Sequence, residues 1–158
     1  MRKFLWFLLI AMVLALLPAR ALAAPEDPYA DKQQTTYLSG SGTARQPFPS
    51  PHLCRGQSNL PHRSTHNPAN VNGEARTYCR AGAVPYLWAE AQLWEDRWWG
   101  WDKVGTPVAR SAANRTTVSA FDATACRNNL WRTTGRHVVT DGGPYSGETV
   151  SGGNRVTC

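Results

Sequence analysis

YLWAEAQLWEDRWWGWDKVG, residues 86–105, is the stretch on which the fold turns, and it holds five of the seven tryptophans of the 158-residue chain: Trp88, Trp94, Trp98, Trp99 and Trp101. Read with a period of two, Leu87, Ala89, Ala91 and Leu93 line one face and Trp88, Glu90, Gln92 and Trp94 the other, as in a half-buried strand. Read with a period of 3.6, Pro85 suits a first helical turn, and Leu87, Ala91, Trp94 and Trp98 make an apolar stripe of residues among good helix formers. Context favours the strand. Gly100 and Gly105 follow closely, and the later segments are β-like, so a lone helix would have nothing to pack against. The expected hairpin end is Asp96–Gly100, with Trp99–Thr106 returning.

Downstream, Thr116–Phe121 is β-branched and alternating, and Leu130–Thr140 continues the pattern. Asp141-Gly142 then predicts a type I′ turn, which needs positive φ at both central residues, leading back through Tyr145–Val150. Arg155–Cys158 is expected as a closing strand fixed by its cysteine. Upstream, Glu74–Arg80 alternates between Asn72-Gly73 and Gly82 and predicts a strand. Pro51–Asn72, rich in Pro, Asn, Ser and His, is expected as a long loop tied down by Cys54. The Pro-, Gly- and Ser-rich residues 24–50 form a solvated lead-in, in which only Thr35–Ala44 has strand character. Short strands punctuated by Gly, Pro and Asn indicate an all-β fold, a small sandwich or a partly open barrel. An immunoglobulin-like topology, with Cys79 and Cys126 bridged over Trp88 or Trp94, is the alternative, although position 124 is Thr where that family's supporting tyrosine would stand.

Arg2 and Lys3 precede an apolar run from Phe4 to Leu17, broken by Pro18 ahead of Ala21-Leu22-Ala23. This is the pattern of a secretory signal peptide over residues 1–23, and the run is shorter than the ~20 residues of a membrane-spanning helix. Its removal leaves one domain, residues 51–158, behind the lead-in, and lowers the formal charge from +6 to +3, with 14 basic and 11 acidic residues. The arginines are scattered singly from Arg45 to Arg155 rather than gathered in a stripe, which speaks against nucleic-acid binding. A secreted, extracellular monomer is expected, with no membrane association after cleavage. All four cysteines, Cys54, Cys79, Cys126 and Cys158, follow the signal, so two disulfides are expected. Of three pairings, the sequential one, Cys54 with Cys79 and Cys126 with Cys158, closes loops of modest length. Leu, Val and Phe are scarce after residue 23 and Ile is absent, so the core is expected to be small and aromatic.

The order Tyr78-Cys79, the alternating segment to Trp94, Trp99-Gly100-Trp101-Asp102-Lys103-Val104-Gly105, Cys126, Trp131, His137 and Asp141-Gly142 resembles small exported actinobacterial proteins that carry a WGW-x-x-VG segment. That resemblance covers residues 75–158 and implies a disulfide-stapled β domain without an assigned activity. The Pro51–Asn72 segment lies outside it.

For chemistry, His62 and His66 are four apart, but Pro61 and Pro68 oppose a helix and no third ligand is near, so no metal site or cofactor is expected. His137 is expected as a structural imidazole. No G-x-S-x-G, Walker loop or G-x-G-x-x-G occurs. Glu90, Asp96, Asp102, Asp122 and Asp141 offer carboxylates, but the sequence places no pair of them. The expected function is a non-catalytic binding module with a Trp-rich surface; a secreted hydrolase or metal-dependent enzyme is the alternative. The candidate binding residues are Trp88, Trp94, Trp98, Trp99 and Trp101, and the partner a cell-wall glycan or another exported protein. Trp88 and Trp94 become core if a second sheet covers their face, which is the expectation for these two. Trp98 and Trp99, near the hairpin end, are expected on the surface.

Overall fold

The computed structural model describes residues 50–158, together with the backbone of two short strands at positions 35–37 and 39–40; the predicted signal peptide and most of the lead-in lie outside the described residues. The strands are β1 (Thr35–Tyr37), β2 (Ser39–Gly40), β3 (Cys54–Ser58), β4 (His62–Arg63), β5 (Asn70–Cys79), β6 (Tyr86–Arg97), β7 (Gly100–Ala112), β8 (Thr117–Ala125), β9 (Asn129–Thr140), β10 (Pro144–Val150) and β11 (Asn154–Val156). They form two antiparallel sheets. In the first, β5 carries β8 along one edge and β3 followed by β4 along the other, with β1 outside β3. In the second the order is β2-β10-β9-β6-β7, and β11 continues the β10 edge of β9. The sheets pack face to face as a small sandwich, not a closed barrel.

The alternation in residues 86–97 sets which face of the second sheet is covered. Leu87, Ala89, Ala91 and Leu93 are fully buried; the first three cluster with Ala75, Val118 and Ala120 of the first sheet and Leu93 with Val71, while the outer positions Trp88 and Trp94 are half-buried on the opposite face. Trp88 and Trp94 are therefore not core residues. The aromatic-core expectation also fails: among the described residues only Trp131 is a fully buried indole, and the remaining volume is filled by Ala, Val, Leu and both half-cystines of one bridge.

Polar side chains complete the interior. Thr77 Oγ1 donates to the Trp88 carbonyl at 2.8 Å, so it accepts from His137 Nδ1–H at 2.9 Å. The bare Nε2 then accepts from the Thr149 hydroxyl at 2.8 Å, which in turn accepts from Ser58 at 2.6 Å. Because a carbonyl can only accept, the whole chain has one polarity, and it ties β3 and β5 to β6, β9 and β10. His137 is 1% exposed, and burial pushes its pKa down to about 4, so the ring is neutral.

That ring explains the principal correction to the sequence reading. Pro51–Asn72 is not a long loop: it contains β3 and β4. On β3 the inward positions are Cys54, Gly56 and Ser58, none of them aliphatic, because His137 occupies the space; a Cβ on Gly56 would lie 2.2 Å from a His137 ring carbon. The β9–β10 hairpin also differs from the type I′ expectation. Thr140 pairs with Pro144, leaving three loop residues, of which only Gly142 has positive φ (73°).

Both disulfides pair sequentially, Cys54–Cys79 and Cys126–Cys158. The first joins directly opposed residues of β3 and β5 within one sheet, so the immunoglobulin-type bridge from Cys79 to Cys126 is absent. The second ties the C-terminus to the end of β8, beside a core cluster of Val71, Leu93, Trp131 and Val156.

Candidate functional site

The uncovered face of the second sheet is built from the outward positions of four strands. In register, Trp88 lies beside Val138, Glu90 beside Arg136, Gln92 beside Thr134 and Trp94 beside Arg132; on β7, Lys103 opposes Trp94 and Trp101 opposes Asp96; on β10, Glu148 opposes Arg136. Between them runs a groove of about 460 Å3 whose walls include Glu90, Gln92, Trp94, Thr134, Arg136 and Glu148. A smaller hollow of about 130 Å3 continues past Arg136 and Glu148 to Trp88. Trp88 and Trp94 are six residues apart on one strand, hence about 20 Å apart.

An irregularity in β7 gives the groove its side wall. Ala91 pairs with Val108 but Leu93 pairs with Val104, so Gly105, Thr106 and Pro107 oppose the single residue Gln92. Gly105 takes φ 74°, a conformation glycine adopts without steric cost, and Pro107 sits on an edge strand, where its missing N–H breaks no ladder. Gln92 Nε2 donates to the Val104 carbonyl at 2.9 Å, and on the interior side Leu93 N–H donates to Asp122 Oδ2 at 2.7 Å. Asp122 is buried, and that burial raises its pKa.

Cations hold the tryptophans at one end of the groove. Trp94 Nε1–H donates to Thr134 Oγ1 at 2.9 Å, while Lys103 Nζ and the Arg132 guanidinium lie 5.2 and 5.3 Å from its ring centroid. These two cations come from the strands on either side of β6, so they flank the indole. Arg132 also stacks 4.5 Å from the centroid of Trp101. The resulting row of two indoles and two cations fixes the ring positions.

At the centre of the groove, Arg136 stands between two carboxylates, with Nη1 3.7 Å from Glu90 and Nε 3.6 Å from Glu148. Both separations exceed hydrogen-bonding distance. Among the described residues, none of the three side chains makes a hydrogen bond.

Of the five predicted tryptophans, Trp88, Trp94 and Trp101 share this face. Trp98 and Trp99 form the turn between β6 and β7, 91% and 60% exposed, packed edge to face with centroids 5.1 Å apart. His62 and His66 are exposed, and no three-ligand metal cluster exists among the described residues. His52 is held by Asp141, through its backbone N–H at 2.8 Å and Nδ1 at 2.6 Å, away from the groove walls. Arg132, Thr134, Arg136 and Glu148 are absent from the sequence-based candidates. Their signal was the period-two alternation of β9, which places Arg132, Thr134 and Arg136 on one face.

The two disulfides belong to an oxidising, extracellular-type environment. Among the described residues, no helix is long and apolar enough to cross a membrane. Compared with family models, curated proteins and solved structures, the chain matches none of them.

Proposed function

We propose that this is an exported, non-catalytic module that binds a cell-wall glycan along the open face of its second sheet. The observation that carries this proposal is the path from Trp88 through the groove to Trp94 and Trp101. A sugar has apolar C–H faces and a rim of hydroxyls, so its binding site pairs aromatic surface with planar polar groups. The path supplies indoles at both ends and Glu90, Gln92, Arg136 and Glu148 between them. Its length suits an oligosaccharide better than a single sugar. A non-catalytic role is favoured by the position of His137, which faces the inter-sheet space with both ring nitrogens engaged and does not offer a base to the groove.

A second reading, an exported protein partner, is favoured by the exposure of Trp98 and Trp99 at the hairpin tip, since exposed indoles anchor interfaces. Calorimetric and tryptophan-fluorescence titration of residues 24–158 with cellohexaose, mannohexaose, chitohexaose and hexagalacturonate tests the glycan proposal. Binding to at least one, lost on Trp88→Ala or Trp94→Ala in protein that keeps its near-UV circular dichroism, is expected. Binding to none of the four refutes it.

A further inference from the structure

Resting on that glycan proposal, we infer that the Glu90–Arg136–Glu148 row is a reader of vicinal diols and selects an uncharged sugar with two adjacent free hydroxyls at the centre of the groove. Three observations lead there. The row alternates acceptor, donor and acceptor across β6, β9 and β10, which are hydrogen-bonded neighbours, so its spacing is set by the sheet and not by flexible loops. The charges hold the side chains near one another at 3.7 and 3.6 Å, yet no hydrogen bond joins them, which leaves the guanidinium N–H groups and the carboxylate oxygens available. All three side chains border both parts of the path or its centre: Arg136 and Glu148 line the groove and the hollow alike, and Glu90 lines the groove.

A hydroxyl both donates and accepts. One hydroxyl of a diol can donate to Glu90 and accept from Arg136, while its neighbour accepts from the same guanidinium and donates to Glu148, and every such bond involves a charged partner. A lone hydroxyl satisfies only half of the row. A uronate brings a third carboxylate beside two that share a single guanidinium, so like charges oppose it. An internal 2-acetamido sugar lacks the second hydroxyl. The expected ligand class is therefore a neutral hexose chain with free 2- and 3-hydroxyls.

The test compares six probes with the domain intact: cellohexaose and mannohexaose, the same two after periodate cleavage of their diols, chitohexaose, and hexagalacturonate, which keeps the diol but adds carboxylates. Binding to cellohexaose or mannohexaose is expected, weaker by at least about tenfold for chitohexaose, which lacks one hydroxyl and two charge-assisted hydrogen bonds, and after periodate, which removes both hydroxyls. Hexagalacturonate should not bind the native domain and should gain affinity in the Glu90→Gln/Glu148→Gln variant, whose near-isosteric amides replace one side chain that is 22% exposed and one that is 79% exposed and whose fold is checked by near-UV circular dichroism. Equal binding before and after periodate, or preference for chitohexaose or hexagalacturonate, overturns the diol inference while leaving glycan binding intact. Binding to no probe overturns both.

Discussion

Acid should destabilise this domain through one residue. His137 is buried between the sheets with Nδ1–H donating to Thr77 and Nε2 accepting from Thr149, and its pKa falls from 6.5 to about 4 because burial penalises the charged ring. The unfolded chain takes up a proton near 6.5 and the folded one only near 4, so between those values the unfolded state binds more protons and stability falls as pH falls. At about 1.4 kcal/mol per pH unit, the gap between 6.5 and about 4 amounts to about 3 kcal/mol, a large fraction of a small domain's stability. Asp122 acts in the opposite sense: its folded-state pKa is raised by burial, so protonation favours the fold, and its contribution is lost as pH rises through that value. It offsets part of the loss at the acid end only. The assay is urea unfolding at pH 7, 6, 5 and 4 for the native protein and His137→Gln. The native protein should lose stability steadily below pH 6.5, and the variant, though weaker at pH 7, should lack that slope. NMR titration of the folded protein should show one imidazole that does not protonate above about pH 5. A variant with the same slope as the native protein, or a His137 resonance titrating near 6.5, would refute the argument.

Trp131 is fully buried, so Trp131→Ala should cost about 3 to 5 kcal/mol in thermal or urea unfolding, whereas Trp98→Ala at the exposed turn should change stability by less than about 0.5 kcal/mol; equal losses would contradict the placement of these rings. Gly56→Ala places a methyl 2.2 Å from the His137 ring and should destabilise by about 1 to 3 kcal/mol, and pairing it with His137→Ala, which empties that space, should recover part of the loss in a double-mutant cycle.

Sequence alone favoured a strand over a helix for residues 87–94, because Leu87, Ala89, Ala91 and Leu93 occupy every second position without exception and later glycines leave no helix a partner; the strand runs on to Arg97, and Trp99 lies in the turn and not in the returning strand, which starts at Gly100. It also favoured the sequential disulfides, because they close loops of modest length, over the Cys79–Cys126 alternative, and it favoured exposure of Trp98 and Trp99 from their place near a hairpin end. Residues 51–72 resisted the same reading, since a strand that meets a histidine across the sheets needs glycine and serine inward, and Cys54, Gly56 and Ser58 carry no aliphatic pattern. Which face of β6 would be covered was likewise undecided in one dimension, where both faces are apolar enough to be core. Only the tertiary structure decided it, by packing the alanine and leucine side against the first sheet and leaving Trp88 and Trp94 open. The groove belongs to the same category: Glu90 is far in the chain from the hairpin that carries Arg136 and Glu148, and strand register is what brings their charges into one row.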